Sequence, residues 1–563
     1  MQIKKGFNKL VDRVEKMNIY IIFAIILFVQ IVFMLYYCNM KQGFFVDEIW
    51  SYGLSNSYYH AQIWEDNGLD NVKIDPEMFK SYLTVNKGEE FSYGSVIYNQ
   101  THDAHPPLFY LILHTISSFF PGQFSKWFGL IPNVFYFAIS MFLLLEIARC
   151  ISKNNIFNIA VLTFYGFSIG AVNSVTFVRM YMLLTMWCLM FLLQNIRLYQ
   201  EKGQSLKNMI LLSIATCGGM YTQFFFIIFV APIVLFYMVY LLKNKQWKYM
   251  IQYCICGCVG AVCAIALFPS YILKVFGGDS NNNSSATHEN LKNIRDLGKK
   301  VSVYWGYISA ELFGSILIVL IIVVVTLLIV GVLRKLFFNI CIVEEQGKRY
   351  LKIEKKKEIQ YKIELKKEYI ITISIMLSIA FYFIIVSKIT QFYSNRYIMC
   401  IYPLLVLCVC VLIYAVLKMY IKCGGKRVII FGICVIFIVG LTYYANDPCY
   451  LYPDKGENSQ TIDRYCDNPC VYIYYSSYRL LNNALDLEKF DDIYQVYYAD
   501  LDKKIDEIDT SSPEMILYVD KLINAWGGKD LEACIKESTK ILGYTDYEKI
   551  AEDNDSMTFC LSK

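Results

Sequence analysis

The stretch at 19–38, IYIIFAIILFVQIVFMLYYC, carries no charged residue over the length, about 20 residues, at which a helix crosses the hydrocarbon core of a bilayer. A basic segment with Lys4, Lys5, Lys9, Arg13 and Lys16 precedes it, and no small-residue cleavage site follows. It is therefore expected to stay as a first span rather than act as a removable signal peptide. Runs of the same character recur at 127–150, 156–173, 178–198, 207–221, 222–242, 250–273, 304–334, 369–387, 397–418 and 427–445. Together they predict about 11 spans. Such a chain folds as a helix bundle in lipid, because a backbone in hydrocarbon must satisfy its own hydrogen bonds. With 56% hydrophobic and 18% charged residues, soluble cores are excluded as the main architecture.

Lys and Arg cluster at alternate span ends, which sets orientation. With the N-terminus in the cytoplasm, the inner segments are the tail 1–16, 197–207, 243–248, 334–367 and 418–427, all basic. An odd number of spans puts the C-terminus outside. The net charge of +5 is thus sorted by membrane side, and a nucleic-acid partner is not expected. The expected division is a cytoplasmic tail at 1–16, a membrane domain at 17–445 and an extracytoplasmic domain at 446–563. Within the membrane domain lie a first outer loop at 39–126 and a basic cytoplasmic insert at 336–368. Residues 348–368 mix Lys and Glu at helical spacing and read as a solvated helix or linker against anionic headgroups.

Beyond residue 446 the composition becomes that of a soluble domain. VYIYYSS at 471–477, IYQVYYA at 493–499 and MILYVD at 515–520 read as strands, alternating with helical stretches near 480–490, 501–508 and 530–539. A small open α/β sheet is expected. Cys449, Cys466, Cys470, Cys534 and Cys560 are an odd set, so a bridge such as Cys466 to Cys470 is one option among several. The other cysteines fall mostly in apolar runs, and none shows zinc-finger spacing.

The chemistry-bearing residues gather at outer span ends. FFVDEIW at 44–50 places Asp47 and Glu48 between aromatic rings just past the first span, where a carboxylate needs a partner or a task. THDAHPPLFY at 101–110 brings His102, Asp103 and His105 together before two prolines that start a short amphipathic helix, a candidate metal or phosphate contact. Arg179 with Tyr181, and Arg396 with Lys388 nearby, open two later spans and offer cations to a lipid phosphate. Tyr221 and Gln223 mark one more outer turn. Acids, histidines and cations at one membrane depth suit transfer of a sugar from a polyprenyl phosphate. Asp47 would take the acceptor proton, Glu48 would orient the acceptor or ligate a divalent metal, and Arg179 or Arg396 would receive the leaving phosphate.

These stretches, VDEIWS, HDAHPPLFYLIL, VRMYMLL, YTQFFF and SNRYIMCIYPLL, resemble the membrane-embedded GT-C glycosyltransferases of the family 39 type. That group is related to protein O-mannosyltransferases and to the bacterial enzyme that adds aminoarabinose to lipid A. The resemblance covers roughly 17–445 and implies a polytopic α-helical GT-C fold, a polyprenyl-phosphate-sugar donor, an outward active site and Asp47 as base of an inverting transfer. It also implies a bacterial cell-envelope setting in the plasma membrane, with a glycolipid, a cell-wall polymer or a protein as acceptor. Two positions depart from the family pattern. Leu130, Ile131, Pro132 and Asn133 stand where Arg-Leu-Pro-Ser is frequent, and Gln223 stands where His follows Thr. Two other classes stay open: a lipid-linked-sugar flippase or other transporter, and a non-catalytic scaffold for a cell-envelope polymer. Transporters concentrate ionisable groups at the midplane, often in repeated halves, whereas here Glu146 is the main interruption and no repeat is evident.

Overall fold

The computed structural model of the protein describes residues 13–63, 72–276, 296–345, 348–355, 367–421 and 424–563. Among these, 9 helices are long and apolar enough to cross a bilayer, or 10 if Asn155–Gly166 and Ile169–Thr176, bent by 54°, are counted as one broken span. The run predicted as a span at 207–221 is the shorter, 15-residue Leu206–Met220 helix, which packs against both Tyr181–Gln200 and Trp247–Leu267. Asn18 caps the first span through its side chain, which accepts from the Tyr20 N–H. The one acid noted within the spans, Glu146, lies near the inner end of Trp127–Ile151 and pairs with Arg149 and Arg197.

The apolar run at 304–334 is not one span. It divides at Gly314, which adopts φ +55°, a conformation that costs a Cβ-bearing residue energy. A Cβ there would also sit 2.5 Å from that of Leu441. The Leu297–Phe313 helix that precedes the break has both ends tied to the outer ends of spans. The Lys300 ammonium donates to the Thr390 carbonyl at 2.6 Å, and the Asn446 amide donates to that of Ala310 at 3.2 Å. This helix therefore lies along the end of the bundle that holds Thr390 and Asn446, and the helix long enough to cross is Leu317–Phe337.

Among the described residues, the loop at 39–126 folds as four helices, Val46–Asn56, Glu77–Leu83, Tyr93–His102 and Leu108–Ser118, with a short strand β1 at Lys73–Ile74. The last of these is the expected amphipathic helix. At 11 residues it reaches about 16 Å, too short to cross, and it packs on Val46–Asn56. On the opposite face, the basic insert departs from the helical reading. Strands β2 (Phe338–Glu345) and β3 (Lys348–Lys355) pair antiparallel, from Phe338 opposite Lys355 to Glu345 opposite Lys348. The alternation in FNICIVEE and KRYLKIEK has period 2, which outweighs the Lys-to-Glu spacing. The rest of that insert, 356–366, and the Asn-rich 281–285 lie outside the described residues.

The C-terminal domain contains the three predicted strands, β4 (Cys470–Tyr474), β5 (Ile493–Tyr497) and β6 (Glu514–Asp520), and two more, β7 (Asp546–Glu552) and β8 (Ser556–Ser562). The sheet order is β1-β5-β4-β6-β8-β7. Strand β4 runs parallel to β5 and β6, while β8 and β7 follow antiparallel. Its edge strand β1 comes from the first outer loop, with Ile74 opposite Ile493, so the domain and the loop fold as one body. Val471, Ile473, Leu517 and Val519 pack on one face, and Tyr472, Ile516 and Tyr518 pack on the other. Burial on both faces explains why these strands read as continuous apolar runs. All five outer cysteines are free, so no Cys466 to Cys470 bridge forms. Cys470 is buried within β4, and the Cys466 thiol turns to the Asp463 carbonyl.

Candidate functional site

Glu48 and Asp47 are neighbours with opposite fates, and the helix they begin decides it. Glu48 is the third residue of Val46–Asn56, and its carboxylate returns to accept from the Phe45 N–H at 2.8 Å, half of a capping box. It also accepts from the Val178 N–H at 2.8 Å and pairs with Lys41 at 3.0 Å. Both side chains of that pair are fully buried, and the Lys41 ammonium donates in addition to the Tyr450 carbonyl at 2.6 Å. Every strong donor around Glu48 belongs to the protein, and it does not line the cavity described next. The expectation that Glu48 orients an acceptor or binds a metal is therefore replaced. It ties the first span, the turn before Arg179 and the C-terminal segment into one frame.

Asp47 faces a cavity of about 410 Å³, within the range of small-molecule sites. Its carboxylate accepts from Arg396, and both residues are more than nine-tenths buried. Arg396 stands in the Asn395–Ile401 3₁₀ turn that leads into the Tyr402–Tyr420 helix, with Pro403 in its first turn, where proline is pre-set for helix entry. The guanidinium also donates to the Tyr397 hydroxyl at 3.2 Å. Arg179 occupies the turn between Ile169–Thr176 and Tyr181–Gln200. It donates to the Asp47 carbonyl, the Ser51 hydroxyl and the Tyr110 hydroxyl, at 3.2, 3.2 and 2.9 Å. Both guanidinium groups are buried, and the Nε of each has no hydrogen-bond acceptor. An unmet buried donor of this kind is costly.

Asp103 and His105 line the same cavity. The His105 Nδ1 and an Asp103 oxygen are 2.8 Å apart. Burial pushes the Asp103 carboxyl up, but His105 and Arg179 outweigh it and hold the group at about 2. Burial and the nearby Arg179 charge lower the His105 imidazole, which donates its Nδ1–H to the Asp103 carboxylate. Lys274 holds this turn by donating to the carbonyls of Thr101 and Asp103. The lining thus carries three cations, Arg179, Arg396 and Lys274, against the two carboxylates of Asp47 and Asp103. Away from the charges the walls are apolar. Phe224, Phe225, Ile227 and Ile228 come from the start of one span, and Ile389 comes from the outer end of Lys367–Ile389.

Of the remaining predicted residues, Tyr181 and Gln223 line the cavity. Tyr221 does not, but its carbonyl accepts from the Leu108 N–H at 3.0 Å and so sets the amphipathic helix in place. His102 turns to the Tyr98 carbonyl and ring and lies outside the lining. Lys388 is also outside it and contributes its backbone carbonyl to Lys300. The expected roles of His102 in metal or substrate contact and of Lys388 in phosphate contact have no support in this geometry. Among the described residues no three His, Cys, Asp or Glu side chains converge as a metal set.

Sequence reasoning missed Lys274 in the lining and gave no site role to Trp50 and Tyr397 there, nor to Lys41 and Asn133. Asn133 stands at a departure from the family pattern, is fully buried and donates to the Val175 and Phe177 carbonyls at 3.0 and 2.8 Å. It pins the turn that presents Arg179. Gly129, one helical turn earlier, admits Val178 where a Cβ would lie 2.0 Å from its methyl. The polar Asn133 within an apolar run was the available signal.

No protein-family model matches the chain, and a search of curated proteins returns no match. Among solved structures it is similar to ArnT from Cupriavidus metallidurans, in the crystal structure bound to undecaprenyl phosphate and in the apo state. Each comparison has a TM-score of 0.43 and 10% sequence identity, covering 95% of this chain and 97% of the other.

Proposed function

We propose that this protein is an inverting glycosyltransferase of the GT-C kind, moving a sugar from a polyprenyl-phosphate donor to an acceptor hydroxyl at the outer face of the membrane. The carrying observation is the pair of buried guanidinium groups, Arg179 and Arg396, that line one cavity with apolar walls. A phosphate in that cavity would lie against both guanidinium groups, and charge-assisted bonds to it are the strong kind. The apolar wall formed by Phe225, Ile228 and Ile389 suits the first prenyl units of the donor.

In this reading the donor phosphate takes Arg396 from Asp47 and releases the carboxylate as base. The acceptor oxygen attacks the anomeric carbon, the bond from that carbon to the phosphate oxygen breaks, and its electron pair leaves with polyprenyl phosphate. The acceptor proton passes to Asp47. Arg179 and Arg396 stabilise the charge that develops on the departing phosphate. A single displacement with one carboxylate base inverts the anomeric centre. Asp103 and His105 face the same space and are assigned to binding the sugar or the acceptor. No step is routed through a metal.

The test is turnover in proteoliposomes supplied with polyprenyl-phosphate sugars, reading release of polyprenyl phosphate. Wild type is expected to release it, and Asp47→Asn to lose about 10²- to 10⁴-fold, the range for a general base. Equal release by both removes Asp47 as base. No release by the wild type with pentose and hexose donors removes the transferase reading.

A further inference from the structure

Arg179 and Arg396 reach one cavity from two turns that are far apart in the sequence. Like charges brought together repel, so the separation of the two guanidinium groups needs a brace outside the space that a ligand fills. Within that space the turns already meet, the Tyr181 and Tyr397 rings lying edge to face with centroids 6.3 Å apart. Both rings line the cavity, and a contact there is open to whatever binds.

Behind the lining, one residue touches both turns. Tyr450 stands between the Gly424–Ala445 span and the Pro453–Ile462 helix that opens the C-terminal domain. It is buried and lies outside the cavity lining. Its ring stacks on Phe177, in the turn that carries Arg179, with centroids 4.2 Å apart and planes inclined by 20°. Its hydroxyl donates to the Asn395 side-chain oxygen at 2.5 Å, and Asn395 immediately precedes Arg396. The Asn395 amide donates in turn to Glu311 at 2.6 Å, so both ends of that side chain are held. The Tyr450 carbonyl accepts from Lys41 at 2.6 Å. Through the Lys41 and Glu48 pair at 3.0 Å, and the Val178 N–H that donates to Glu48 at 2.8 Å, it reaches the Arg179 turn a second time.

A buried tyrosine commonly satisfies its hydroxyl, and a ring that only fills a core needs no more than that. Here ring, hydroxyl and carbonyl go to three separate partners. Two of these lead to the Arg179 turn and one to the Arg396 turn. We infer that Tyr450 is a positioning residue that sets the separation of the two guanidinium groups, so that the segment leading into the C-terminal domain fixes the geometry of the phosphate contact. For its ligand the inference rests on the donor reading above; for the positioning it rests on the contacts alone.

The experiment uses the full-length protein in nanodiscs, with farnesyl phosphate as the probe. Tyr450→Phe keeps the ring on Phe177 and removes only the hydroxyl. Dissociation constants are measured for the wild type, Tyr450→Phe, Arg179→Gln and the double variant. A phosphate held between two guanidinium groups feels their separation, whereas one held by Arg396 alone can follow it. Tyr450→Phe is therefore expected to weaken binding about 10-fold in the wild-type background, the upper range for one hydrogen bond, and by less than about 2-fold in Arg179→Gln. Equal losses in the two backgrounds overturn the inference and make Tyr450 a packing residue. Cryo-electron microscopy of the wild type and Tyr450→Phe gives a readout that needs no ligand. The turn at 395–397 is expected to shift relative to 177–179, and an unmoved turn overturns the inference. A wild type that binds no farnesyl phosphate removes the donor reading instead, and the shift of the turn then decides the positioning by itself. Should Tyr450→Phe not fold, Asn395→Leu cuts the same hydrogen bond from the other side and is held to the same outcomes.

Discussion

Arg396 donates a hydrogen bond to the Asp47 carboxylate across 349 positions of sequence, with both side chains nearly withdrawn from solvent. The contact neutralises a carboxylate that is costly to desolvate alone. It also means that the proposed base is engaged until another anion claims Arg396.

Replacing Arg396 by Gln therefore removes a phosphate contact and leaves Asp47 buried without its cation. Truncating one partner of a buried charge pair costs about 2–5 kcal/mol, and kcat/KM for the donor is expected to fall by 30-fold or more. Arg396→Lys keeps the charge without the planar fork and should recover only part of the loss. A donor titration in proteoliposomes measures both, and unchanged kcat/KM in Arg396→Gln would detach this residue from the donor.

The Lys41 and Glu48 pair makes a prediction about stability instead. Either Lys41→Met or Glu48→Gln strands the other charge in a fully buried place, at about 3–5 kcal/mol. The double variant leaves no unpaired charge and should be less destabilised than the sum of the single changes. Thermal unfolding of the purified protein in detergent gives the comparison; additive shifts would mean that the two side chains act independently.

Glu311 gives the pH dependence. On the Leu297–Phe313 helix, it accepts from the Asn395 amide at 2.6 Å, and burial raises its carboxyl to about 7. A raised carboxyl means that the folded state binds the proton more tightly than the unfolded chain. The stabilisation is complete below about pH 4.3, the unfolded value, and is lost as pH rises through about 7. Its full span is roughly 4 kcal/mol at 1.36 kcal/mol per unit. Unfolding temperature should fall between pH 5 and pH 8 in the wild type and much less in Glu311→Gln. The same slope in both would assign the effect to other groups.

Asn133→Ala removes two buried hydrogen bonds to the turn that carries Arg179, leaving carbonyls unmet at about 1–3 kcal/mol. Because the turn positions a proposed phosphate ligand, donor KM is expected to rise, with a modest drop in unfolding temperature. A stability loss with donor KM unchanged would make Asn133 a packing residue alone.

The amino-acid sequence by itself determined the bundle, its approximate number of crossings and the gathering of Asp47, Arg179 and Arg396 at span ends. Span length and charge-free runs are local properties set by bilayer thickness, so they are legible without a partner. The C-terminal strands β4, β5 and β6 were legible for a similar reason, as unbroken β-branched and aromatic runs. The helix at Leu297–Phe313 was not, because it continues into an equally apolar stretch and the break rests on the left-handed backbone at Gly314 and its close approach to Leu441.

Tertiary structure alone decided which polar residues share a site. Asp47 and Glu48 are adjacent and chemically alike, yet one lines the cavity and the other closes a fully buried pair with Lys41. Successive positions on a helix point about 100° apart, and what stands in each direction is chosen by segments hundreds of residues away. His102 and His105 part in the same way, at the end of one helix and across the turn that follows. Edge strand β1 finds its partner only once the first loop and the C-terminal domain meet. Non-local pairing carries no signature in local composition, and the candidate site consists almost wholly of such pairs.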